Sequence, residues 1–156
     1  MSAESFIDTN VFIYQLEAQD RRKFEIADGI IRQGVATGDA CISFQVVQEC
    51  LNTALRKAEV RLDIDGARAY LETVLAPLYR VPASVGLYHR GLGVQARYHM
   101  SFYDALIVAA ALEAGCSRLW SEDLQHGQRI ERLTIANPFR SRRSWPRSNA
   151  PANSGL

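Results

Sequence analysis

Ser5-Phe6-Ile7-Asp8-Thr9-Asn10-Val11-Phe12-Ile13-Tyr14 is the stretch on which the fold turns. Phe6 and Ile7 read as a short buried strand. Asp8 follows, flanked by Thr9 and Asn10, and the chain then returns to apolar residues. An acid at the carboxyl end of a buried parallel strand stands where open α/β sheets place their ligands. Asp is equally a favoured helix N-cap, so Asp8 has a structural reading beside the functional one.

Working outward, the chain alternates short apolar runs with helical patterns. Asp20 to Gln33 is predicted helical from Phe24, Ala27, Ile30 and Ile31, with Gly34 and Gly38 marking its end and a turn. Ala40-Cys41-Ile42-Ser43 reads as a second buried strand. Phe44 to Ala58 reads as a helix whose apolar stripe is Phe44, Val47, Leu51, Ala54, Leu55 and Ala58; Gln45, Glu49, Asn52 and Arg56 form a polar stripe. Asp63 or Asp65 can cap the next helix, which Pro77 ends or bends. Leu78 to Val81 reads as a third strand. A helix from Ser84 to Tyr98 follows despite Gly86, Gly91 and Gly93. Tyr103 to Ala114 is the most apolar helix. Arg118-Leu119-Trp120 is the fourth strand, and Leu133 to Ala136 a fifth. Strands alternating with helices predict a parallel sheet with helices on both faces.

Composition narrows the class. The 156 residues suit one domain, and 47% hydrophobic residues can bury a core. No run is long and apolar enough to span a membrane. Met1-Ser2-Ala3-Glu4 lacks a basic segment followed by an apolar core, so no signal peptide is expected. Cys41, Cys50 and Cys116 form no CxxC pair and read as buried reduced thiols of a cytoplasmic protein. The net charge is +1, but Arg140, Arg142, Arg143 and Arg147 lie in a stretch without acids. Without them, 14 basic residues face 17 acidic ones, so residues 1–139 carry a formal −3. Residues 140–156, rich in Ser, Arg, Asn and Pro, read as a basic disordered tail. A neutral-to-acidic body is a poor general trap for nucleic acid; cations or local basic patches would have to supply the attraction.

Three later acidic positions can converge on Asp8. Glu49 lies about two helical turns beyond the second strand, although a polar stripe is commonly just a solvated face. Asp104 opens a helix whose next eight residues are all apolar, where a charge is costly unless paired. Ser101-Phe102-Tyr103-Asp104 also fits a capping box, and both readings can hold together. Glu122 and Asp123 follow the fourth strand, as a Ser- and Asp-rich turn also would. Clustered carboxylates repel one another, and hard divalent cations want such oxygen-rich settings. His89, His99 and His126 show no metal-ligand spacing, and Ser43 and Cys41 have no nearby histidine base. His126, near the acidic loop, has a substrate-contact reading beside the more ordinary one of a partly exposed structural histidine.

Phe6-Ile7-Asp8-Thr9-Asn10, Gln48-Glu49, Ser101-Phe102-Tyr103-Asp104-Ala105-Leu106-Ile107 and Ser121-Glu122-Asp123-Leu124-Gln125 resemble the four acidic motifs of the PIN domain. Ile135-Ala136-Asn137-Pro138-Phe139 resembles the close of such domains. The resemblance covers about residues 4–139 and is nearest the VapC branch, toxin ribonucleases of toxin–antitoxin pairs. It implies an α/β/α sandwich around a parallel sheet, dependence on Mg²⁺ or Mn²⁺, cleavage of RNA, a homodimer, and an antitoxin that inserts a segment into the active groove. By motif matching, Asp8, Glu49, Asp104 and Asp123 hold the catalytic positions, with Asp8, Asp104 and Asp123 toward metal. Asn10 and Ser121 match supporting polar positions. Many relatives have a further acid where this chain has Gln125, and Glu122 is the candidate substitute as metal ligand.

Arg21, Arg22, Lys23, Arg56 and Lys57 are candidates for gripping an RNA backbone, or else a solvated basic face. Two rivals remain open. A phosphatase using Asp8 as nucleophile wants a second acid two residues on, where Asn10 stands. A binding module could keep the fold for RNA or a protein partner without catalysis.

Overall fold

The structure, a computed structural model, describes residues 3–57 and 59–145. Met1, Ser2 and Ala58, and the expected tail beyond Trp145 with Arg147, lie outside them. The elements run β1 (Ser5–Ile7), α1 (Thr9–Glu17), α2 (Arg21–Thr37), β2 (Ala40–Ser43), α3 (Phe44–Arg56), α4 (Ile64–Tyr70), a π-helical turn (Leu71–Leu75), α5 (Ala76–Leu78), β3 (Tyr79–Val81), α6 (Val85–Tyr98), α7 (Phe102–Glu113), β4 (Arg118–Trp120), β5 (Arg129–Ile130) and β6 (Leu133–Ala136). A 3₁₀ turn at Arg142–Ser144 follows.

The sheet order is β3-β2-β1-β4-β6-β5. Every pairing is parallel except β5 with β6. From β1 the chain moves outward through β2 and β3, then crosses back to place β4 on the other flank of β1. The order therefore reverses between β1 and β4, and the carboxyl ends of these two strands border the crevice where such sheets bind ligands. Ile7 and Ala40 face α2, and Cys41 faces the layer that contains α7. Helices thus cover both faces of a mostly parallel sheet, the expected α/β/α sandwich. No helix among the described residues is long and apolar enough to cross a membrane.

Several boundaries differ from the expectation, for local reasons. Gly34 does not end α2. A Cβ there would lie 2.7 Å from that of Ala40, so the glycine lets the helix press onto β2. Gly91 has the same use in α6, where a Cβ would meet Leu106 at 3.2 Å. Pro77 bends its helix as expected, and the deformation appears one turn earlier. Ala76 N–H donates to the Leu71 carbonyl, a widened turn ahead of the ring. Asp63 caps α4, accepting from Gly66 N at 2.7 Å. The strand β5 was not anticipated.

Two further corrections concern burial. In α3 the buried residues are Gln45, Val46, Cys50 and Ala54, whereas Leu55 is exposed; the inward face is rotated from the expected stripe and includes a residue of the polar one. The folded chain also continues past residue 139, into the stretch expected to be a disordered tail from residue 140. Trp145 packs edge-on against Trp120 at 4.8 Å, and its indole N–H donates to the Arg140 carbonyl. His126 is structural, as expected. Its Nδ1 accepts from Asn137 N, so its Nε2–H donates to the Ser144 carbonyl at 2.8 Å. The three cysteines are buried free thiols.

Candidate active site

Asp8 leaves the carboxyl end of β1 and caps α1. Its backbone N–H donates to the Trp120 carbonyl of β4, which fixes the residue between the two strands. Its Oδ1 accepts from Thr9 N at 2.7 Å, and its Oδ2 from Ser121 Oγ at 2.8 Å and Asn10 Nδ2 at 3.3 Å. Asp8 therefore caps a helix from the strand-end position where the functional reading also places it. Asn10 Nδ2 also reaches Asp123 Oδ2 at 3.2 Å, and Asn10 Oδ1 accepts from Glu122 N at 3.2 Å. One amide thus ties the β1 acid to the loop after β4. Ser121 is fully buried and also accepts from Leu124 N, holding that loop turned.

Glu49 arrives from α3, roughly 9 Å along the helix from Ser43. Thr9 Oγ1 donates to its Oε2 at 2.7 Å, and Gln45 Nε2 to its Oε1 at 2.7 Å. The same Gln45 amide donates to the Tyr103 carbonyl at 3.2 Å, while its buried Oε1 has no hydrogen-bond partner among the described residues. Orphaned buried polar atoms of this kind call for an explanation, and functional clefts are one place they occur.

Asp104 sits in the first turn of α7. Ser101 caps that helix by accepting from Asp104 N at 3.3 Å. The Asp104 carboxylate is exposed and makes no hydrogen bond or ion pair among the described residues. The expected cost of a buried charge therefore does not arise; burial begins one residue later, at Ala105.

Asp8, Glu49, Asp104 and Asp123 line one cleft of about 420 Å³, together with Thr9, Asn10, Ile13, Gln45, Tyr103 and Ile107. Burial pushes the Asp8 carboxyl up to about 6, with smaller upward contributions from the charges of Glu49 and Asp123; the bonds from Ser121 and Thr9 pull the other way.

Glu122 is not in this cleft. Its Oε2 accepts from Lys23 Nζ at 2.7 Å and its Oε1 from the Tyr14 hydroxyl. Lys23 Nζ also lies 4.6 Å from the centroid of the Tyr14 ring, which meets Phe139 edge-on. Both its oxygens are thus taken, and Glu122 does not line the cleft where the expected role as substitute metal ligand would place it. Gln125 is exposed and does not line the cleft either.

The same contact pairs Lys23, one of the candidate RNA-gripping residues, within the fold. Arg22 donates to the Phe139 carbonyl, Arg21 pairs with Glu25, and Lys57 pairs with Glu17. Arg56 alone of the five is exposed and unpaired among the described residues. Thr9, Gln45 and Tyr103 are cleft residues that were not singled out from the sequence. The only available signal was the i, i+4 spacing of Gln45 and Glu49.

The donor set is all oxygen, which suits Mg²⁺ or Mn²⁺ and not a soft metal. Among the described residues no three Asp, Glu, His or Cys side chains converge as a ready-made shell. Mg²⁺ does not require one, since it commonly binds one or two carboxylates and keeps its waters. The upward push on Asp8 comes first from burial and only then from the charges of Glu49 and Asp123, and a cation beside it would offset the latter. By donor chemistry the cleft could hold a hard divalent ion, and Asp8, Glu49, Asp104 and Asp123 are the carboxylates that line it.

A parallel α/β sheet with carboxylates gathered at the strand ends around its reversal point defines the class. The profile of the PIN domain family matches residues 5–130, and the chain belongs to that family. Similar solved structures include a toxin–antitoxin complex from Klebsiella pneumoniae, at 18% identity over 86% of this chain and 98% of that one, with a TM-score of 0.58. VapBC2 from Rickettsia felis, bound to a DNA fragment from their promoter, is 14% identical over 85% and 97%, with a TM-score of 0.61. Mycobacterium tuberculosis VapC20, described as a toxin cleaving the sarcin–ricin loop, is 21% identical over 77% and 92%, with a TM-score of 0.55. At these identities the likeness is one of fold. No curated protein matches the chain.

Proposed function

We propose that the chain is a Mg²⁺- or Mn²⁺-dependent endoribonuclease and the toxin of a type II toxin–antitoxin pair. The carrying observation is that four acids from four separate segments line one cleft, with Asn10 bonded to both Asp8 and Asp123. Membership of the PIN family and the fold shared with named toxins support the toxin assignment. Asp8, Asp104 and Asp123 would hold the ion, which would supply a water of lowered pKa and offset charge on the phosphate. Glu49, pinned at both oxygens by Thr9 and Gln45, orients the attacking water for in-line displacement. Products with 5′-phosphate and 3′-hydroxyl ends follow from that displacement. Asn10 and Ser121 hold Asp8 in place and keep the Asp123 loop against it. An antitoxin would present an Arg or Lys to this acidic cleft, where charge complementarity favours it. The functional unit on this reading is a homodimer.

The test is cleavage of single-stranded RNA by purified protein. Excess EDTA is expected to abolish it and Mn²⁺ to restore it. Asp104→Asn should abolish cleavage while shifting metal-free stability by no more than a helix-dipole interaction, about 0.3–1 kcal/mol. Full cleavage in EDTA, or by Asp104→Asn, overturns the metal assignment. Expression of the wild type should arrest growth and Asp8→Asn should relieve the arrest; equal harmlessness at equal soluble levels overturns the toxin reading.

A further inference from the structure

The cleft contains an aromatic residue that the acid chemistry leaves unused. Tyr103 lines it one residue before Asp104 and is 68% exposed. Helix α7 buries every residue from Ala105 to Leu112, so its aromatic rim stands apart from the apolar body of the helix. The ring is braced edge-on by the half-buried Phe102, with centroids 5.5 Å apart at 71°. Its hydroxyl has no hydrogen-bond partner among the described residues. Its carbonyl is bonded to Gln45 Nε2, and the same nitrogen holds Glu49. The ring therefore has a fixed footing relative to the acid that orients water, while its surface is open.

No Lys or Arg is among the residues lining the cleft. Neutralisation of phosphates by side chains, the usual source of nucleic-acid affinity, is thus missing at this point. Stacking on an aromatic ring needs no positive charge and accepts any base. A base inside a duplex has both faces covered; an unpaired nucleotide does not.

We propose that Tyr103 is a base-stacking platform, so that the cleft takes an unpaired nucleotide of single-stranded RNA with its base against the Tyr103 ring. This rests on the nuclease reading above for its substrate and deepens it by naming the recognition contact.

The experiment uses the full chain with Tyr103→Ala, Tyr103→Phe and Tyr103→Trp, and short single-stranded RNAs carrying an abasic nucleotide at successive positions around the cut. Tyr103→Ala is expected to lower kcat/KM roughly 5- to 150-fold, the worth of one stacked base, while Phe and Trp retain activity. An abasic nucleotide at the stacked position should impose a similar loss on the wild type and none further on Tyr103→Ala. Thermal unfolding should be unchanged, because the ring is exposed. Unchanged kcat/KM in Tyr103→Ala, or equal sensitivity of both proteins to every abasic site, overturns the platform.

A second arm needs no turnover: fluorescence of RNA bearing 2-aminopurine, titrated with each protein in EDTA and again with Ca²⁺, a hard oxygen-seeking cation, offsetting the acids. Quenching by the wild type, Phe and Trp proteins but not by Tyr103→Ala supports the platform even if no cleavage is ever seen, in which case the nuclease reading alone fails. Cleavage that proceeds normally without Tyr103, and quenching that ignores it, overturns the platform and leaves the nuclease reading standing.

Discussion

Replacing Asp8 by Asn should make the metal-free protein more stable at neutral pH, although it removes the most deeply held acid of the cleft. Asp8 is 8% exposed, and burial raises its pKa from 3.8 to about 6. A carboxyl raised in this way holds its proton longer in the folded state than in the unfolded one. Between about pH 4 and 6 the native state therefore binds more protons, so stability falls as pH rises through that window and is level above it. At 1.36 kcal/mol per pKa unit, the shift corresponds to about 3 kcal/mol of destabilisation at neutral pH. Asn removes that load and keeps an acceptor for Thr9 N. Its NH₂ replaces the oxygen that accepts from Ser121 and Asn10, at a cost of about 1 kcal/mol per bond. The net gain is about 1 kcal/mol, or roughly 2–4 °C in Tm for a chain of this size. The assay is thermal unfolding of both proteins in EDTA from about pH 4 to 8, followed by a Mn²⁺ titration. The advantage of Asp8→Asn should shrink as pH falls through the window and reverse below it. Mn²⁺ should raise the Tm of the wild type and have little effect on the variant, because only binding to the native state stabilises it. A variant that unfolds earlier than wild type at pH 7–8 in EDTA, or a difference that ignores pH, refutes the electrostatic account.

The placement of Glu122 gives a complementary outcome. Glu122→Gln breaks the ion pair with Lys23 outside the cleft, so it should cost no more than about 1 kcal/mol and leave the Mn²⁺-induced rise in Tm intact; loss of that rise would restore Glu122 as a ligand. Gly34→Ala is expected to destabilise by about 1–3 kcal/mol in urea unfolding, because its Cβ would stand 2.7 Å from that of Ala40. Gly29→Ala, in the same helix with nothing within 4 Å, should instead stabilise by about 0.5–1 kcal/mol, and equal effects at both sites would show that helix propensity alone is at work.

The sheet and the position of its acids were legible because both follow from short-range rules. Apolar runs such as Phe6-Ile7 and Ala40-Cys41-Ile42 can only be buried strands at their length, and in a parallel sheet their carboxyl ends share one edge. Asp8 and Asp123 were therefore placeable without knowing any contact. What was hidden depends on partners far along the chain. Glu122 and Asp123 are adjacent and chemically alike, yet one is drawn from the cleft by Tyr14 and Lys23, about a hundred residues earlier. Nothing in the local pattern separates them. Gln45 was assigned to a solvated stripe because hydrophobic periodicity treats every polar side chain as outward. Its burial follows from an acid and a carbonyl waiting to accept from its amide. Strand β5 has two residues, too few to show a period, and exists only because β6 offers an edge. Trp145 carries no repeating pattern, and its packing on Trp120 and its bond to the Arg140 carbonyl join residues that no local period connects. The basic residues show the same limit most sharply. Charge counting offered five cations to an RNA backbone, and four of them are committed to carboxylates or a carbonyl within the fold. Attraction for a polyanion at a cleft lined by four acids must then come from elsewhere. On the proposed reading it comes from a divalent ion at the acids and from the face of Tyr103, two contacts of which charge counting registers neither.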